Sequence, residues 1–377
     1  MKKVILAAIL LAAIIGFAGC GNNDDDVTPH ANIDGGDTAT QGNEGGSDAA
    51  AVTLHAFNWG WFHDPAIEQI FYEETGIRVL FEFYPTNQEM YNRIVMQGAE
   101  FDILFPSDYM IERLILENRL APINWDNVPN RAHLHHYFDH LDFDPQGRYA
   151  APYKWGLFGI LYNRTMVSDM QESWNMLFHE DYAAPHAGNI YMYASARDSL
   201  GSALRWLGYS HNTTDLRELH AARDLLIHQG PWVRAYLGDE IRDSMIAGGA
   251  AMAQIFSGCA FFAMSENADL NFVVPREGTQ LFIDAMVIPA TTRHQAEAEM
   301  FINFMLRPDI ALMNAEWVMY STTNATALEM LPQEWRDMQV FWPTGENYER
   351  GYSFRDLGAF RNEFYTAYNL VLMMVGG

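Results

Sequence analysis

Cysteine and positive charge are both scarce in this sequence of 377 residues. The 2 cysteines, Cys20 and Cys259, are too few for a framework of several disulfides. The 23 Lys and Arg residues are outnumbered by 48 Asp and Glu residues, which gives a formal net charge of -25. Proteins that bind nucleic acid by neutralising phosphates need clusters of Lys and Arg. The composition therefore argues against DNA or RNA as a partner.

Short catalytic motifs are missing as well. There is no G-x-S-x-G nucleophile elbow, no Gly-rich loop ending in Gly-Lys-Ser/Thr, and no G-x-G-x-x-G after a predicted strand. Cys259 has no adjacent base, so we interpret it as a small buried residue and not as a nucleophile. The sequence predicts no enzyme and no cofactor. A secreted α/β hydrolase stays open as a remote alternative.

Residues 1–19 have the pattern of a signal peptide. Lys2 and Lys3 precede an apolar run over residues 4–18, which is shorter than the roughly 18–20 apolar residues that span a bilayer comfortably. Residues 17–20, Phe-Ala-Gly-Cys, resemble the lipobox of bacterial lipoproteins, in which the cysteine receives lipid and becomes the mature N-terminus. We therefore expect lipidation at Cys20, with ordinary secretion and a free Cys20 as the alternative.

Residues 20–50 are predicted to form a flexible tether. After Cys20 they are rich in Gly, Asn, Asp, Ser, Thr and Ala and contain no Lys or Arg. Such a composition cannot bury a core. The signal and the tether together predict an exported protein, lipid-anchored at the outer face of the cytoplasmic membrane or located in the periplasm.

From residue 51 the chain alternates strand-like and helix-like segments, as α/β proteins do. Hydrophobic residues make up 49% of the chain, enough to bury the cores of two or three domains at this length. The predicted strands are 52–57, 77–84, 101–105, 156–162, 190–193, 251–256, 271–274 and 282–288. The predicted helices are 65–75, 88–97, 109–117, 199–207, 215–229, 295–306, 309–317 and 362–373. The order at the start predicts a parallel sheet with ligand sites at the carboxyl ends of its strands.

Asp284 is a carboxylate inside a segment, residues 280–289, that otherwise has the pattern of a buried strand. An unpaired charge there would cost on the order of several kcal/mol, so Asp284 must meet a cation or hydrogen-bond donors. Strand alternation places it on the same face as Phe282 and Met286. An internal partner such as an arginine and a cationic ligand fit this pattern equally well.

Aromatic residues, 14% of the chain, favour the ligand. Trp59, Trp61 and Phe62 follow the first predicted strand, where an α/β ligand site is expected. An aromatic face attracts an ammonium group by roughly 0.5–2 kcal/mol, and carboxylates accept hydrogen bonds from charged nitrogens. Aromatic walls with a few carboxylates suit a flexible diamine or triamine, although core packing explains each aromatic taken singly.

The segment from His133 to His140 is an alternative site. His136 and His140 would fall on one face of a helix, at a spacing that suits a metal ion. No Cys or Glu completes a tetrahedral set nearby. A zinc-type solute receptor is therefore the alternative function, and a polar surface segment is the simpler explanation of these histidines.

From about residue 53 to the C-terminus the sequence resembles the spermidine/putrescine-binding proteins of bacterial ABC transporters. The stretches that carry the resemblance are FNW at 57–59, EETGIRV at 73–79, FDILFPS at 101–107, PYKWG at 152–156, LGYSHNTTD at 207–215, VPREG at 274–278, FID at 282–284 and FINFMLRPD at 301–309. None is diagnostic alone, but their order and spacing are fairly specific. The resemblance implies an extracellular receptor for a polyamine or related organic cation, monomeric, that docks on permease subunits.

The fold that the resemblance implies is an α/β fold of the type II periplasmic-binding-protein kind, with a ligand cleft between two lobes. The lobes close on the ligand about a hinge. The first lobe would comprise residues 51–157 and 285–318. The second would comprise residues 158–284 and 319–377.

Eleven residues occupy positions of ligand contacts in that family. Those that match or conserve the character of the family residue are Trp59, Phe62 (for a tyrosine), Ser107, Tyr109, Asp198 (for a glutamate), Phe256 and Phe282 (for two tryptophans) and Asp284. Three depart from it: Ser195 replaces an amine-binding aspartate, Trp61 a glutamate and Phe354 a glutamine. Two carboxylates in a more aromatic box favour putrescine or another compact dication over spermidine, and a larger aromatic or singly charged amine stays open.

Overall fold

The computed structural model describes residues 52–375, and strands form two principal sheets in it. The strands are β1 (Thr53–Trp59), β2 (Arg78–Tyr84), β3 (Ile103–Leu104), β4 (Leu120–Ala121), β5 (Ala151–Asn163), β6 (Ile190–Tyr193), β7 (Val233–Leu237), β8 (Met252–Phe256), β9 (Leu270–Val273), β10 (Thr279–Met286), β11 (Ile288–Pro289), β12 (Ser321–Thr322) and β13 (Gly351–Tyr352).

Helices connect and cover these strands. They are α1 (Ala66–Thr75), α2 (Asn87–Tyr91), α3 (Asp108–Leu116), α4 (Asn175–Phe178), α5 (Glu180–Ala183), α6 (Ala196–Trp206), α7 (Leu216–Gln229), α8 (Ile241–Ile246), α9 (Ser257–Glu266), α10 (Gln295–Met305), α11 (Pro308–Val318), α12 (Ala325–Met330), α13 (Gln333–Asp337), α14 (Glu346–Glu349) and α15 (Arg361–Val375). None of the helices within residues 52–375 is both long and apolar enough to cross a membrane.

The first sheet has three parallel strands in the order β2-β1-β3. β1 and β2 pair along their whole length, from Thr53 beside Arg78 to Trp59 beside Tyr84. The helix between them, α1, ends at Gly76, whose φ of 73° lies in the left-handed region that favours glycine. The parallel arrangement predicted for the start of the chain is therefore confirmed.

The second sheet is mixed, with eight strands and the path β13-β10-β5-β8-β6-β7. Its central strand, β5, is buried along all 13 residues and pairs antiparallel with β10, β8, β9 and β12. A strand was predicted at this place over 156–162, but β5 begins five residues earlier, at Ala151. Lys154 interrupts the apolar pattern there, which is why the sequence predicted a later start.

Three hydrophobic clusters meet along β5. Tyr153, near its start, packs in a core with Leu54 of β1. Phe158, near its end, packs in a second core with side chains of α6 and α7, among them Leu200. Trp155, from the middle of the strand, belongs to a third cluster. The middle of β5 and the adjacent part of β10 therefore lie at the junction between the cores.

Three predicted elements have different bounds in the structure. α2 ends at Tyr91 and continues as a π-helix over Asn92–Met96, where a single helix was predicted. β3 has two residues, where five were predicted. β10 begins at Thr279 and not at Phe282, because Thr279 pairs with β13 from a distant part of the chain. Partner strands set these bounds, and a local pattern does not reveal them.

Candidate functional site

Asp284 lies in β10 with 4% of its surface exposed. The Ser107 hydroxyl donates a hydrogen bond of 2.6 Å to its Oδ1, and burial raises the pKa of the Asp284 carboxyl to about 7. Among the described residues no Lys or Arg nitrogen lies within 4.0 Å of it. The internal arginine that the sequence left open is therefore not seen in the described part of the chain, which favours a cationic ligand.

Ser107 is held in place by Asn87, a residue that the sequence analysis missed. Asn87 Nδ2 donates to Ser107 Oγ at 3.0 Å, and the Ser107 backbone N–H donates to Asn87 Oδ1 at 3.2 Å. The Ala285 backbone N–H donates to Pro106 O at 3.1 Å, which ties the loop after β3 to β10. The carboxylate thus meets a hydroxyl with a fixed direction. The only sequence signal for Asn87 is its position three residues after a strand, at the start of α2.

Lys154 is the nearest cation in backbone register, since it pairs with Asp284 across β5 and β10. Its side chain is 1% exposed, and burial lowers its pKa to about 7. Its Nζ lies 5.4 Å from the centre of the Tyr153 ring and not within ion-pair distance of Asp284. Register proximity therefore does not neutralise Asp284.

Aromatic rings form a continuous wall beside Asp284. The Phe282 ring meets the Phe256 ring edge-on at 5.2 Å between centroids and the Tyr320 ring at 6.1 Å. Tyr320 in turn meets Phe62 at 5.2 Å. Tyr320 was missed in the sequence analysis. It fits because a Cβ at Gly258 would lie 2.3 Å from its ring, so a glycine is needed there.

Two predicted tryptophans have different surroundings. Trp59 Nε1 donates to Phe105 O at 2.8 Å, and its ring lies 4.7 Å from that of Tyr84, whose pKa Asp284 helps to raise. Trp61 is 82% exposed and stacks on Trp317 at 5.9 Å. The structure therefore places Trp59 near Asp284 and leaves Trp61 outside this group.

Asp198 is a second buried carboxylate, 8% exposed, in the first turn of α6. Ser195 is the N-cap of that helix, and its hydroxyl accepts the Asp198 backbone N–H at 3.5 Å. Burial raises the pKa of Asp198 to about 6. Its Oδ1 has no hydrogen-bond partner among the described residues. Ser195 thus has a structural role that the sequence did not predict.

Asp108 is a third carboxylate, which the sequence analysis missed. It begins α3 with no exposed surface, and its Oδ2 has no partner within residues 52–375. Burial raises its pKa well above the ordinary value, and the charges of Asp284 and Asp198 raise it further. Asp108 is therefore within electrostatic reach of both predicted carboxylates and joins them into one acidic site.

Arg197 is a resident cation at this site. Its guanidinium lies 4.4 Å from the centre of the Phe354 ring and 5.6 Å from that of Tyr109, and it donates to Asn212 Oδ1 at 2.9 Å. Arg197 acts to lower the pKa of both Asp108 and Asp198. Three carboxylates with one guanidinium leave two negative charges when all are ionised. The arrangement can neutralise a divalent organic cation.

Other predicted features lie apart from this site. A cavity of about 370 Å³ borders Leu281 and Ile283, on the opposite face of β10 from Asp284. The Cys259 thiol is buried with a raised pKa and lies 3.1 Å from the Tyr320 hydroxyl. A buried thiol of raised pKa is a poor nucleophile, which agrees with its interpretation as a small buried residue.

The histidine segment does not have the predicted helical geometry. His136 lies in a 3-10 turn, His136–Phe138, that ends before His140, so the two do not share one face of an α-helix. His133 instead contacts Thr326 at 3.0 Å. Within residues 52–375 no group of three or more His, Cys, Asp or Glu side chains is arranged to hold a metal ion.

Comparison with known proteins gives a consistent family. The family model for bacterial extracellular solute-binding proteins matches residues 66–340. The spermidine/putrescine-binding periplasmic protein of Escherichia coli K12 is 31% identical over 309 residues, which cover 81% of this chain and 88% of that protein. A putrescine-binding periplasmic protein of Pseudomonas aeruginosa is 26% identical and covers 81% of this chain and 88% of its own.

Solved structures agree. A spermidine/putrescine ABC transporter substrate-binding protein from Streptococcus pneumoniae is 35% identical, with a TM-score of 0.76 over 86% of this chain and 100% of that one. The lipoprotein Tp0655 of Treponema pallidum is 23% identical, with a TM-score of 0.73 over 85% of this chain and 99% of that one. The two-lobed periplasmic-binding-protein fold predicted from the sequence is thereby confirmed.

Proposed function

We propose that this chain, which belongs to the bacterial extracellular solute-binding protein family, captures a polyamine or a related organic cation and delivers it to the permease of an ABC importer. One observation carries the proposal: Asp284 is buried, ionisable and without a cationic partner among the described residues, beside a wall of aromatic rings. An ammonium group supplies the missing charge, and the methylene chain packs on the rings.

The ligand is captured between two lobes. We assign residues 51–157 and 285–318 to the first and residues 158–284 and 319–377 to the second. On this assignment the first lobe supplies Ser107, Asp108 and Tyr109, and the second supplies Asp198 and Asp284. A ligand that touches both sets stabilises the closed arrangement, since only that arrangement lets it meet every carboxylate.

Contacts that cross the lobe boundary support closure as the capture step. Arg355 Nε donates to both carboxylate oxygens of Glu112 at 3.0 Å, and the Asp356 backbone N–H donates to Glu112 Oε2 at 2.7 Å. Arg197 of the second lobe also lies against the Tyr109 ring of the first. Closure excludes water, which strengthens each ammonium–carboxylate interaction, and it presents a changed surface to the permease.

The location of the protein follows from the same proposal. A lipid on Cys20 would hold the receptor at the outer face of the membrane, close to its permease, as a monomer with a tether over residues 20–50. Cys20 and the tether lie outside the described residues. Radiolabelled fatty acid incorporated into the wild type and not into Cys20→Ser would support lipidation.

Thermal unfolding tests the ligand. The full chain carrying Cys20→Ser is titrated with putrescine, spermidine and spermine. A bound ligand at 100 times its dissociation constant should add about 2.7 kcal/mol to the free energy of unfolding. Arginine and choline at equal concentration control for nonspecific ionic effects. A chain that responds to none of the polyamines is not a polyamine receptor, and the assignment then reverts to a solute receptor of other specificity.

A further inference from the structure

A small cavity lies beside Asp198, at the end of the site away from Asp284. Its walls include Asp198, Gln280 and Phe354, and its volume is about 10 Å³, which is about the room that one water-sized polar group needs. It is too small for a whole ligand. It has the size of a site for one end of a ligand.

Two hydrogen-bond acceptors line this cavity without donors. They are Asp198 Oδ1 and Gln280 Oε1, in residues that are 8% and 7% exposed. No donor reaches either atom in the part of the chain that the structure describes. A buried acceptor without a donor is unfavourable, so a group with at least two N–H or O–H donors is expected between them.

Most donors of the basic side chains near the cavity are already engaged, and none of them is recorded as reaching its two acceptors. Arg205 lines it, but its Nε and Nη2 both donate to Glu277 O, at 2.9 and 2.6 Å. Arg197 does not line the cavity. It packs on the Phe354 ring, its Nη2 donates to Asn212 Oδ1 and its Nη1 to Arg355 O, and its Nε has no partner among the described residues. His211 also lines the cavity, and burial lowers its pKa to about 3, so it is neutral. None of these side chains is recorded as a donor to Asp198 Oδ1 or Gln280 Oε1.

Strand geometry relates this cavity to Asp284. Gln280, Phe282 and Asp284 alternate along β10, so they lie on one face of the strand with the Phe282 ring in the middle. The Cα atoms of Gln280 and Asp284 are four residues apart along the strand, a separation of about 13 Å. From ordinary bond lengths, an extended 1,4-diaminobutane spans about 6 Å between nitrogens and an extended 1,8-diaminooctane about 11 Å.

We propose that Gln280 and Asp198 together bind a primary ammonium group at one end of the ligand while Asp284 binds the other end. The site would then select linear amines longer than putrescine, in contrast to the compact dication expected from the sequence. The proposal rests on the proposed function. It also gives a role to an otherwise unexplained amide. Gln280 lines the small cavity, and its amide oxygen has no donor among the described residues.

Isothermal titration of the full chain, carrying Cys20→Ser, with putrescine and 1,8-diaminooctane tests the proposal. The wild type should bind the longer diamine more tightly. Gln280→Met, which keeps the length of the side chain and removes the acceptor, should weaken binding of 1,8-diaminooctane about tenfold, equivalent to about 1.4 kcal/mol. Binding of putrescine should change less than twofold. Gln280→Glu, the matched variant that keeps an acceptor, should retain the affinity of the longer diamine.

Each other outcome overturns the proposal. Equal losses for both diamines in Gln280→Met, with a lower unfolding temperature, assign Gln280 a structural role. No loss for either diamine means that a water fills the cavity. Tighter binding of putrescine than of the longer diamine removes the length selection and leaves the proposed polyamine function standing. A wild type that binds no amine overturns the function itself.

Discussion

The two ends of the proposed ligand site, at Asp284 and at Asp198, are both buried carboxylates with raised pKa values, but different contacts position them. Asp284 accepts a hydrogen bond from Ser107, which Asn87 fixes in turn, and no cation lies within 4.0 Å among the described residues. Asp198 lies at the start of α6 within the field of Arg197. Neutral hydrogen-bond donors orient the Asp284 carboxylate. At Asp198 the Arg197 guanidinium already offsets part of the negative charge before a ligand binds.

This difference predicts unequal dependence on the ligand. An ammonium group at Asp284 replaces a cation that the described chain does not supply, so its binding gains the full charge interaction. At Asp198 the ammonium shares the site with Arg197, which offsets part of the attraction. The Asp284 end should therefore determine affinity, and the Asp198 end should determine which amines fit.

The largest expected effect comes from removing each carboxylate in turn. Asp284→Asn should weaken amine binding more than about 100-fold, since loss of one partner of a buried charge pair costs about 3–5 kcal/mol. Asp198→Asn should weaken it only about tenfold. Titration calorimetry on the two variants measures both. Equal losses would remove the distinction between the ends.

Unfolding of the empty proteins supplies the control for this comparison. The Asp284→Asn variant should be at least as stable as the wild type at pH 7.5, because the wild type carries a buried carboxylate without a cation in ion-pair distance. If Asp284 instead serves an internal interaction, the same change should destabilise the empty protein by a few kcal/mol. Asp181→Asn, at a carboxylate whose side chain is 83% exposed, should change neither measurement.

The dependence on pH should be smaller and should follow the buried carboxylates of the site, which include Asp108, whose pKa burial also raises. The pKa of Asp284 is raised to about 7 and that of Asp198 to about 6, from an ordinary value of 3.8. The folded, empty protein therefore binds more protons than the unfolded chain between about pH 4 and pH 7. These two groups stabilise the folded state most at low pH, and that contribution is lost as the pH rises through 6 and 7.

Amine affinity should change in the opposite direction, because the ligand needs ionised carboxylates. We expect binding to be about tenfold weaker at pH 5.5 than at pH 7.5, since one pKa unit corresponds to about 1.4 kcal/mol. Titrations at pH 5.5, 6.5 and 7.5 measure this. The residual binding of Asp198→Asn should keep the step near pH 7. A step that persists near pH 7 in Asp284→Asn would contradict its assignment to Asp284 and would point to Lys154, whose pKa burial lowers to about 7.

The sequence revealed the Asp284 end far better than the Asp198 end, for a physical reason. Asp284 interrupts the pattern of a buried strand, so a charge at this position can be recognised from the sequence alone. Asp108 and Arg197 occupy the first turns of α3 and α6, where charged residues are ordinary. Their burial depends on the packing of distant segments, which no local pattern records.

The fold shows the same division. The parallel strands β1 and β2, joined by one helix and ended by Gly76, follow from local signals and were predicted nearly to the residue. The early start of β10 at Thr279 depends on pairing with β13, about seventy residues later, and was missed. Gln280 lies before the predicted strand 282–288, although within the segment 280–289 that has a strand pattern, and the structure was needed to show that it lines a cavity with Asp198.

The smallest expected effect concerns an ion pair outside the ligand site, between Glu112 and Arg355. Glu112 and Arg355 form an ion pair across the proposed lobe boundary, with side chains 15% and 44% exposed. Because Arg355 is well exposed, Glu112→Gln should cost about 0.5–1 kcal/mol of closure, or twofold to fivefold in affinity. Stopped-flow release should show this as faster dissociation, since on the proposed lobe assignment the pair forms only when the lobes meet.

A matched ion pair within one lobe makes this prediction specific. Glu346 pairs with Arg350 at 3.3 Å, and both belong to the proposed second lobe. Glu346→Gln should therefore leave affinity and release unchanged. Closure covers both ends of the ligand, so Glu112→Gln should weaken short and long diamines alike, in contrast to Gln280→Met. Selective weakening of one diamine by Glu112→Gln would place that pair in ligand recognition and not in closure.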